Sequence, residues 1–582
     1  MCGLFTVYDE DLDLEKARLA LKTLVHRGPD GTAEFTYERH FMGHTRLSII
    51  DLTQAAQQPF VSEDKLVSVV VNGEIYNYIG LREELSKLGY RFTSDSDCET
   101  VLAGYLIWGI DVLLSRLRGM FAFTIHDSQS AKIYAVRDHL GVKPVYYHYG
   151  KDKFCTSSEL SAIVEYLSLK SDTNLDYTAL YDFLTYSYVP APKTAFTSIK
   201  KLEPGHYIQF DLKDKNLKIR KFWDIDFNNI LNHSEETAVK NIEDLLIKAV
   251  TEEMQADVKV GLFLSGGLDS SAVAYLASDI SNEPIAAFSL FFDNPVYDES
   301  RRIRDCVKSL NLTHQHFTVT EAVAKTVFAS SLKYFSEPFG DTSFIPTSIV
   351  SDLASKQVKV VLTGDGGDEV FGGYKRYEFF EKRPNQKLKL PNVINKILNK
   401  PILKRINFIK KIVNRFQLHF TFDDFEIYTR FMGGLIKDEK EGYRKKWNIP
   451  KEYDDYWHFR KYYNAELPII KRIQYLDLKT YLPGDNLTKV DRMTMRHGIE
   501  ARVPLLNLNL IEYLFRLPSE VVYSSKEPKH LLMKALNNNL PKSVRYGPKR
   551  GFSIPLYDWF LKETDFENSN ELILNEFLKN DN

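Results

Sequence analysis

Cysteine is scarce. The 582 residues hold four, Cys2, Cys98, Cys155 and Cys306, with no CxxC pair and no Cys/His spacing, so neither a disulfide framework nor a structural zinc site is indicated. A reducing, cytoplasmic setting is the expectation. No stretch approaches the length of a membrane span, and Asp9, Glu10, Asp11 and Asp13 stand where a signal peptide would need a positive start and an apolar run. Charge of one sign is missing as well: 76 Lys plus Arg against 78 Asp plus Glu, a formal charge of -2, gives no global reason to expect nucleic acid or an acidic partner. Internal repeats and low-complexity tracts are also absent.

What remains is ordinary globular composition, 44% hydrophobic and 26% charged, in a chain long enough for two or three domains. Residues 1–212 carry short β-rich runs near turn signals, KLVSVVVNGEIYNY, GMFAFTIHD and KIYAVRDHLGVKPVYYHY, with a helical LREELSKLGY between them. They predict a layered antiparallel sheet with a few helices. Near residue 213 the pattern thins into KDKNLKIRKFW, read as a charged connector. Residues 213–582 open with the helical EETAVKNIEDLLIKAVTEEM and continue with apolar runs that end in Gly-rich turns and pass into helices, the pattern of a mostly parallel α/β sheet. Ligands of such sheets sit beyond the carboxyl ends of the strands.

Two of these turns carry chemistry. GLFL runs into Ser265, Gly266, Gly267, Leu268, Asp269, Ser270 and Ser271, followed by a helical AVAYLAS. Glycines permit a tight turn that brings backbone N–H groups to an anion, serine hydroxyls add donors, and the helix offers its positive end. A Gly-Gly turn merely capping a helix is the bland alternative. Asp269 is out of place in a pure anion nest unless a cation accompanies the phosphates, which assigns it to Mg²⁺. The GK[ST] ending of a Walker loop is lacking; the stretch resembles instead the SGGxDS pyrophosphate loop of enzymes that split ATP between its α and β phosphates. Further on, VKVVLTGDGGDEVFGGYKRY places Thr363, Gly364, Asp365, Gly366, Gly367, Asp368 and Glu369 after a second strand. Three carboxylates crowded together call for a cation.

MCGLF, HRGPDG, GHTRLSIID, VNGEIYNY and SDCE, followed by both glycine-rich loops, DRMTMRHGIEARVPLL and KRGFSIPL, together resemble the glutamine-dependent asparagine synthetases of the class II, N-terminal-nucleophile amidotransferases. The resemblance runs from Cys2 to residue 556 and is weakest between about 378 and 470. It implies an αββα layered sandwich of Ntn-hydrolase type for residues 1–212 and an ATP-pyrophosphatase domain for 213–582. Once Met1 is removed, Cys2 would supply both a thiol nucleophile and, in its own α-amine, a base.

The resemblance further implies that Arg46 pairs with the α-carboxylate of glutamine and Asp97 with its α-ammonium, that Asn72 and Gly73 form the oxyanion hole, and that Glu74 completes the recognition strip. Ser265, Gly266, Gly267, Asp269 and Ser270 would hold pyrophosphate and metal, Leu264, Leu290, Thr363 and Gly364 the adenosine, and Asp368 would be a further metal ligand. Lys549, with Arg550 as rival, would face the charge of adenylation. The implied reaction uses glutamine, ATP and aspartate through an acyl-adenylate, in a homodimer with an internal ammonia tunnel.

One position departs from the family's usual SGEGSDE: Asp365 replaces a glutamate thought to meet the intermediate. That keeps a sugar uronic acid or another small carboxylate open as acceptor. Asp491, Arg492, Glu500 and Arg502 are the charged candidates for reading it, with structural ion pairs among them an equally natural role. The basic run 382–415, free of Asp and Glu, could touch a membrane surface, RNA or an acidic protein, although its prolines favour a solvated excursion. A non-catalytic relative keeping only the fold is disfavoured, because a binding relic needs neither a nucleophile nor a magnesium loop.

Overall fold

The computed structural model describes residues 2–383 and 422–580, apart from 170, 538, 548–553, 563, 565 and 567. Lys549, Arg550 and nearly all of the basic 382–415 run therefore lie outside the described residues.

Seventeen strands are numbered here in chain order. Residues 2–221 supply β1 (Cys2–Asp9), β2 (Gly31–Tyr37), β3 (His40–Arg46), β4 (Phe60–Val61), β5 (Val67–Ile75), β6 (Gly119–Asp127), β7 (Lys132–Arg137), β8 (Tyr146–Tyr149), β9 (Lys153–Ser157), β10 (Ile199–Lys201), β11 (His206–Asp211) and β12 (Asn216–Lys221). They form two six-stranded sheets, β10-β8-β9-β1-β3-β2 and β12-β11-β7-β6-β5-β4, antiparallel throughout.

Every residue of β1, β3 and β5 is buried, because both faces of each sheet are covered. Alternation sends Phe5, Val7 and Phe41 to the helices Leu14–Lys22 and Leu160–Leu167. Leu4, Met42 and Val70 meet between the sheets. Val69, Val71, Phe121 and Phe123 pack under the helices Tyr78–Lys87 and Glu99–Arg116. The result is the expected αββα sandwich.

The charged connector expected near residue 213 is different in kind. Its Asn216–Lys221 part is β12, which pairs with β11 and completes the second sheet, so the sandwich runs past residue 212. Its charges belong to an exposed edge strand, where lysine and arginine discourage pairing with another chain.

The second region builds one parallel sheet from β13 (Val260–Phe263), β14 (Ile285–Phe292), β15 (Leu312–Val319), β16 (Val360–Leu362) and β17 (Glu500–Arg502), in the order β15-β14-β13-β16-β17. The chain builds outward from β13 to β15 on one side, then returns to lay β16 on the other. The crevice between β13 and β16 is therefore the topological switch point, and both glycine-rich turns leave the sheet there. One apolar cluster, including Phe5, Phe183, Phe288 and Phe344, spans both regions.

Candidate functional site

The chain holds two separate centres. The first surrounds Cys2, at the start of a central strand of the sandwich and 7% exposed. Its backbone N–H donates to Asn72 Oδ1 (3.0 Å), and its carbonyl accepts from Arg27 Nε (3.2 Å). Asn72 Nδ2 donates to Ser158 Oγ (3.4 Å). Burial raises the Cys2 thiol pKa, and the nearby Glu500 and Glu74 carboxylates add to the rise.

Glu74 and Asp97 are brought to this centre by β5 and by the turn before helix Glu99–Arg116. Asp97 Oδ2 accepts from the Ile75 N–H (2.8 Å) and from the Cys98 thiol (3.7 Å). Burial raises both carboxyl groups, Glu74 further through its neighbours Asp97 and Glu500. Such a surplus of buried carboxylate suits a cationic ligand. Arg46, 6% exposed, donates to the backbone carbonyls of Thr53 (2.7 Å) and Asp51, so the turn at 51–53 orients its fork.

Glu500 and Arg502 also belong here. Arg502 reaches Glu500 Oε1 (2.6 Å) and Glu74 Oε1 (3.4 Å). Asp491 pairs with Arg27 (2.8 Å) and Arg492 with Glu159 (2.6 Å), all nearly inaccessible to water. None of the four lines the cavity described next. Of the two roles open to them, acceptor reading or structural ion pairing, the pairs they form are structural, and β17 and the helix Leu487–Met495 lie against the sandwich.

The second centre is a cavity of about 970 Å³ over the carboxyl ends of β13, β14 and β16. Leu264, Ser265, Gly267, Asp269, Ser270, Leu290, Thr363 and Gly364 line it, together with Asp365 and Asp368. Gly266 makes the turn itself, at φ +75°, a backbone conformation that side chains resist. Ser265 Oγ and Ser270 Oγ are 2.9 Å apart, tying the loop to the helix Leu268–Ile280. The two loops touch backbone to backbone: a Cβ on Gly364 would lie 2.5 Å from Ser270 N. Glu369 is buried beneath them, its pKa raised to about 7 by burial and by Asp368.

Among the charged lining residues that sequence reasoning missed, three are tied into ion pairs with one another or with the loops. Lys489 Nζ lies 3.0 Å from Asp341 Oδ2, and Asp341 also accepts from Ser343 N (2.9 Å) and Oγ (2.7 Å); against the effect of burial, Lys489 holds Asp341 at about 2. Lys529 Nζ lies between Asp269 and Asp368. Lys489 stands two residues before the DRMTM stretch, and Lys529 opens an apolar helix; neither position carries a local signal.

Residues 241–581 match the asparagine synthase family, and residues 1–223 match the glutamine amidotransferase domain. The chain belongs to the asparagine synthase family. It is 31% identical over 97% of its length, and 88% of the relative's, to asparagine synthetase [glutamine-hydrolyzing] 1 of Bacillus subtilis. Asparagine synthetase [glutamine-hydrolyzing] 3 of the same organism is 27% identical over 94% of this chain and 86% of its own. A third relative, amidase chry2 of Gibberella zeae, is 27% identical over 92% and 85% respectively. As a member of this family the chain is an enzyme, a ligase with a glutamine amidotransferase domain. Among the described residues no helix is long and apolar enough to cross a membrane.

Proposed function

We propose that this asparagine synthase family member amidates aspartate at the cavity, using ammonia released from glutamine at Cys2. The observation that carries this reading is the convergence of both glycine-rich loops and Asp365 on one large cavity, in a chain that also buries a thiol beside surplus carboxylate.

In the first half-reaction Cys2 Sγ attacks the glutamine amide carbon. Because burial keeps the thiol protonated, a base is needed, and the α-amine freed by loss of Met1 is the proposed one. Cys2 N–H fixes the Asn72 carboxamide through its oxygen; one Nδ2 hydrogen goes to Ser158 Oγ, and the other, with the Gly73 N–H, is the proposed oxyanion donor. Glu74 and Asp97 match the substrate ammonium, and Arg46 its carboxylate. Ammonia leaves, and water frees glutamate from the thioester.

In the second half-reaction the Ser265–Ser270 loop binds the β and γ phosphates, Leu264, Leu290, Thr363 and Gly364 hold the adenosine, and the acceptor carboxylate attacks the α phosphorus. Pyrophosphate departs; ammonia then displaces AMP from the acyl-adenylate, with Asp365 at the cavity wall and Lys549, outside the described residues, assigned to this step by family resemblance alone. Asp269 and Asp368 fit a divalent ion, since hard carboxylate oxygens from two loops already converge on one cationic group, Lys529. Magnesium bound there would neutralise phosphate charge. A homodimer remains part of the proposal by resemblance alone.

A second reading keeps the mechanism and changes the acceptor. Asp365, one methylene shorter than the usual glutamate, and a relative named as an amidase support another small carboxylate, such as a uronic acid. Pyrophosphate release from ATP-Mg²⁺ with ammonium, comparing aspartate, uronic acids and no acceptor, separates the two. Aspartate-dependent release with asparagine in the product mass supports the first; silence with aspartate and turnover with another acid supports the second.

A further inference from the structure

Lys529 is held in an unusual way. Its backbone is left-handed, φ +59° and ψ 27°, a conformation that costs free energy in a residue with a side chain. The helix His530–Ala535 follows at once, anchored by the inaccessible Leu531 and Leu532, and the strained residue aims the lysine back into the cavity. Its Nζ lies 2.5 Å from Asp269 Oδ2 and 2.6 Å from Asp368 Oδ1. Room for the side chain depends on Gly373, where a Cβ would lie 2.0 Å from both Lys529 Cε and Asp368 Oδ1. Three separate segments thus converge to seat one ammonium between two carboxylates.

We propose that Lys529 is a built-in placeholder for the metal: it holds Asp269 and Asp368 together in the nucleotide-free enzyme and makes divalent-cation binding conditional on the nucleotide. The inference rests on the reading of those two carboxylates as the metal ligands. A divalent ion arriving alone meets two carboxylates whose charge is already half offset by a fixed ammonium 7% exposed to solvent, and that ammonium repels a second cation at this range. A triphosphate in the same cavity changes the balance, because it offers the ammonium a new anionic partner. Lys529 is then a positioning residue whose removal should strengthen one property of the site while weakening another.

The test uses the full-length protein and Mn²⁺ as a spectroscopic probe, with bound metal read by electron paramagnetic resonance. Without nucleotide, Lys529→Gln should bind Mn²⁺ about tenfold more tightly than the parent, whereas Lys529→Arg, which keeps the charge, should bind as weakly as the parent. In the parent, α,β-methylene-ATP should raise Mn²⁺ affinity beyond that of the free analogue, a comparison that needs no variant to fold. Thermal unfolding midpoints within a few degrees of the parent qualify the variants. The proposal is overturned if Lys529→Gln binds Mn²⁺ no more tightly, or if Lys529→Arg gains equally. A gain that survives an added Asp269→Asn also overturns it, and in that case the metal assignment falls with it; absence of aspartate turnover, by contrast, would sink only the choice of acceptor.

Discussion

At the scale of single residues, the proposed chemistry divides between two side chains. Cys2→Ala should abolish glutamine-dependent synthesis and leave ammonia-dependent synthesis intact, because the cavity keeps all its groups. Asp269→Ala should remove both. Assays of product with glutamine and with ammonium as alternative nitrogen sources check the pair, and a Cys2 variant that still used glutamine would refute the nucleophile.

Glu253 offers a test of burial. It is 2% exposed, its Oε2 has no hydrogen-bond partner among the described residues, and burial, helped by the Glu252 and Glu500 charges, raises its pKa to about 8. The folded state therefore binds this proton more tightly than the unfolded chain does. Stability from that proton is full below about pH 4.5 and is lost as pH rises towards 8, by about 1.4 kcal/mol per pH unit. Glu253→Gln should match the parent near pH 4.5 and unfold at a higher temperature at pH 8. Calorimetry at the two values decides it, and equal midpoints at pH 8 would mean that Glu253 is not desolvated.

At the scale of elements, the contact between the two glycine-rich loops matters more than either loop's own turn. A methyl at position 364 would meet Ser270 N at 2.5 Å and Asp269 C at 2.7 Å, neither of which can move without shifting the helix that follows. Gly364→Ala should lower pyrophosphate release by about 10²-fold, the scale on which small displacements act, and leave glutamine hydrolysis unchanged. Parallel assays of the two half-reactions check this.

Elements also explain where sequence reading succeeded and failed. The helices Tyr78–Lys87, Glu235–Glu253 and Leu268–Ile280 stand where the text suggested them, since each carries its own periodicity or its own turn. Strand β12 was misread, because the charges that protect an edge look the same as those of a linker.

At the scale of the whole molecule, the two centres are joined through buried charge. Arg27, fully inaccessible, pairs with both Asp491 and Glu159 while touching the Cys2 carbonyl, and the helix that carries Asp491 also presents Lys489 to the cavity. Arg27→Met would leave Asp491 without this buried partner, a loss of about 3–5 kcal/mol. Denaturant unfolding should register it. The same variant should consume more than one glutamine per amide formed; a ratio unchanged from the parent would limit Arg27 to stability.

The sequence by itself determined the family, the two fold classes and the loops that hold the candidate residues, since MCG at the start, NGE, SDCE and two strand-to-glycine turns are local patterns whose meaning does not depend on distant partners. Tertiary structure decided which charges serve chemistry and which serve cohesion. Asp491, Arg492, Glu500 and Arg502 could from the text be substrate readers or ion pairs, and Asp491, Arg492 and Arg502 pair across to the sandwich while Glu500 pairs with Arg502 on its own strand; Lys489, Asp341 and Lys529 enter the cavity from segments without any motif. Local pattern reveals backbone geometry and residue type. The partner of a charge is settled only when segments hundreds of positions apart are packed together, because its free energy depends on burial and on what lies within a few ångströms.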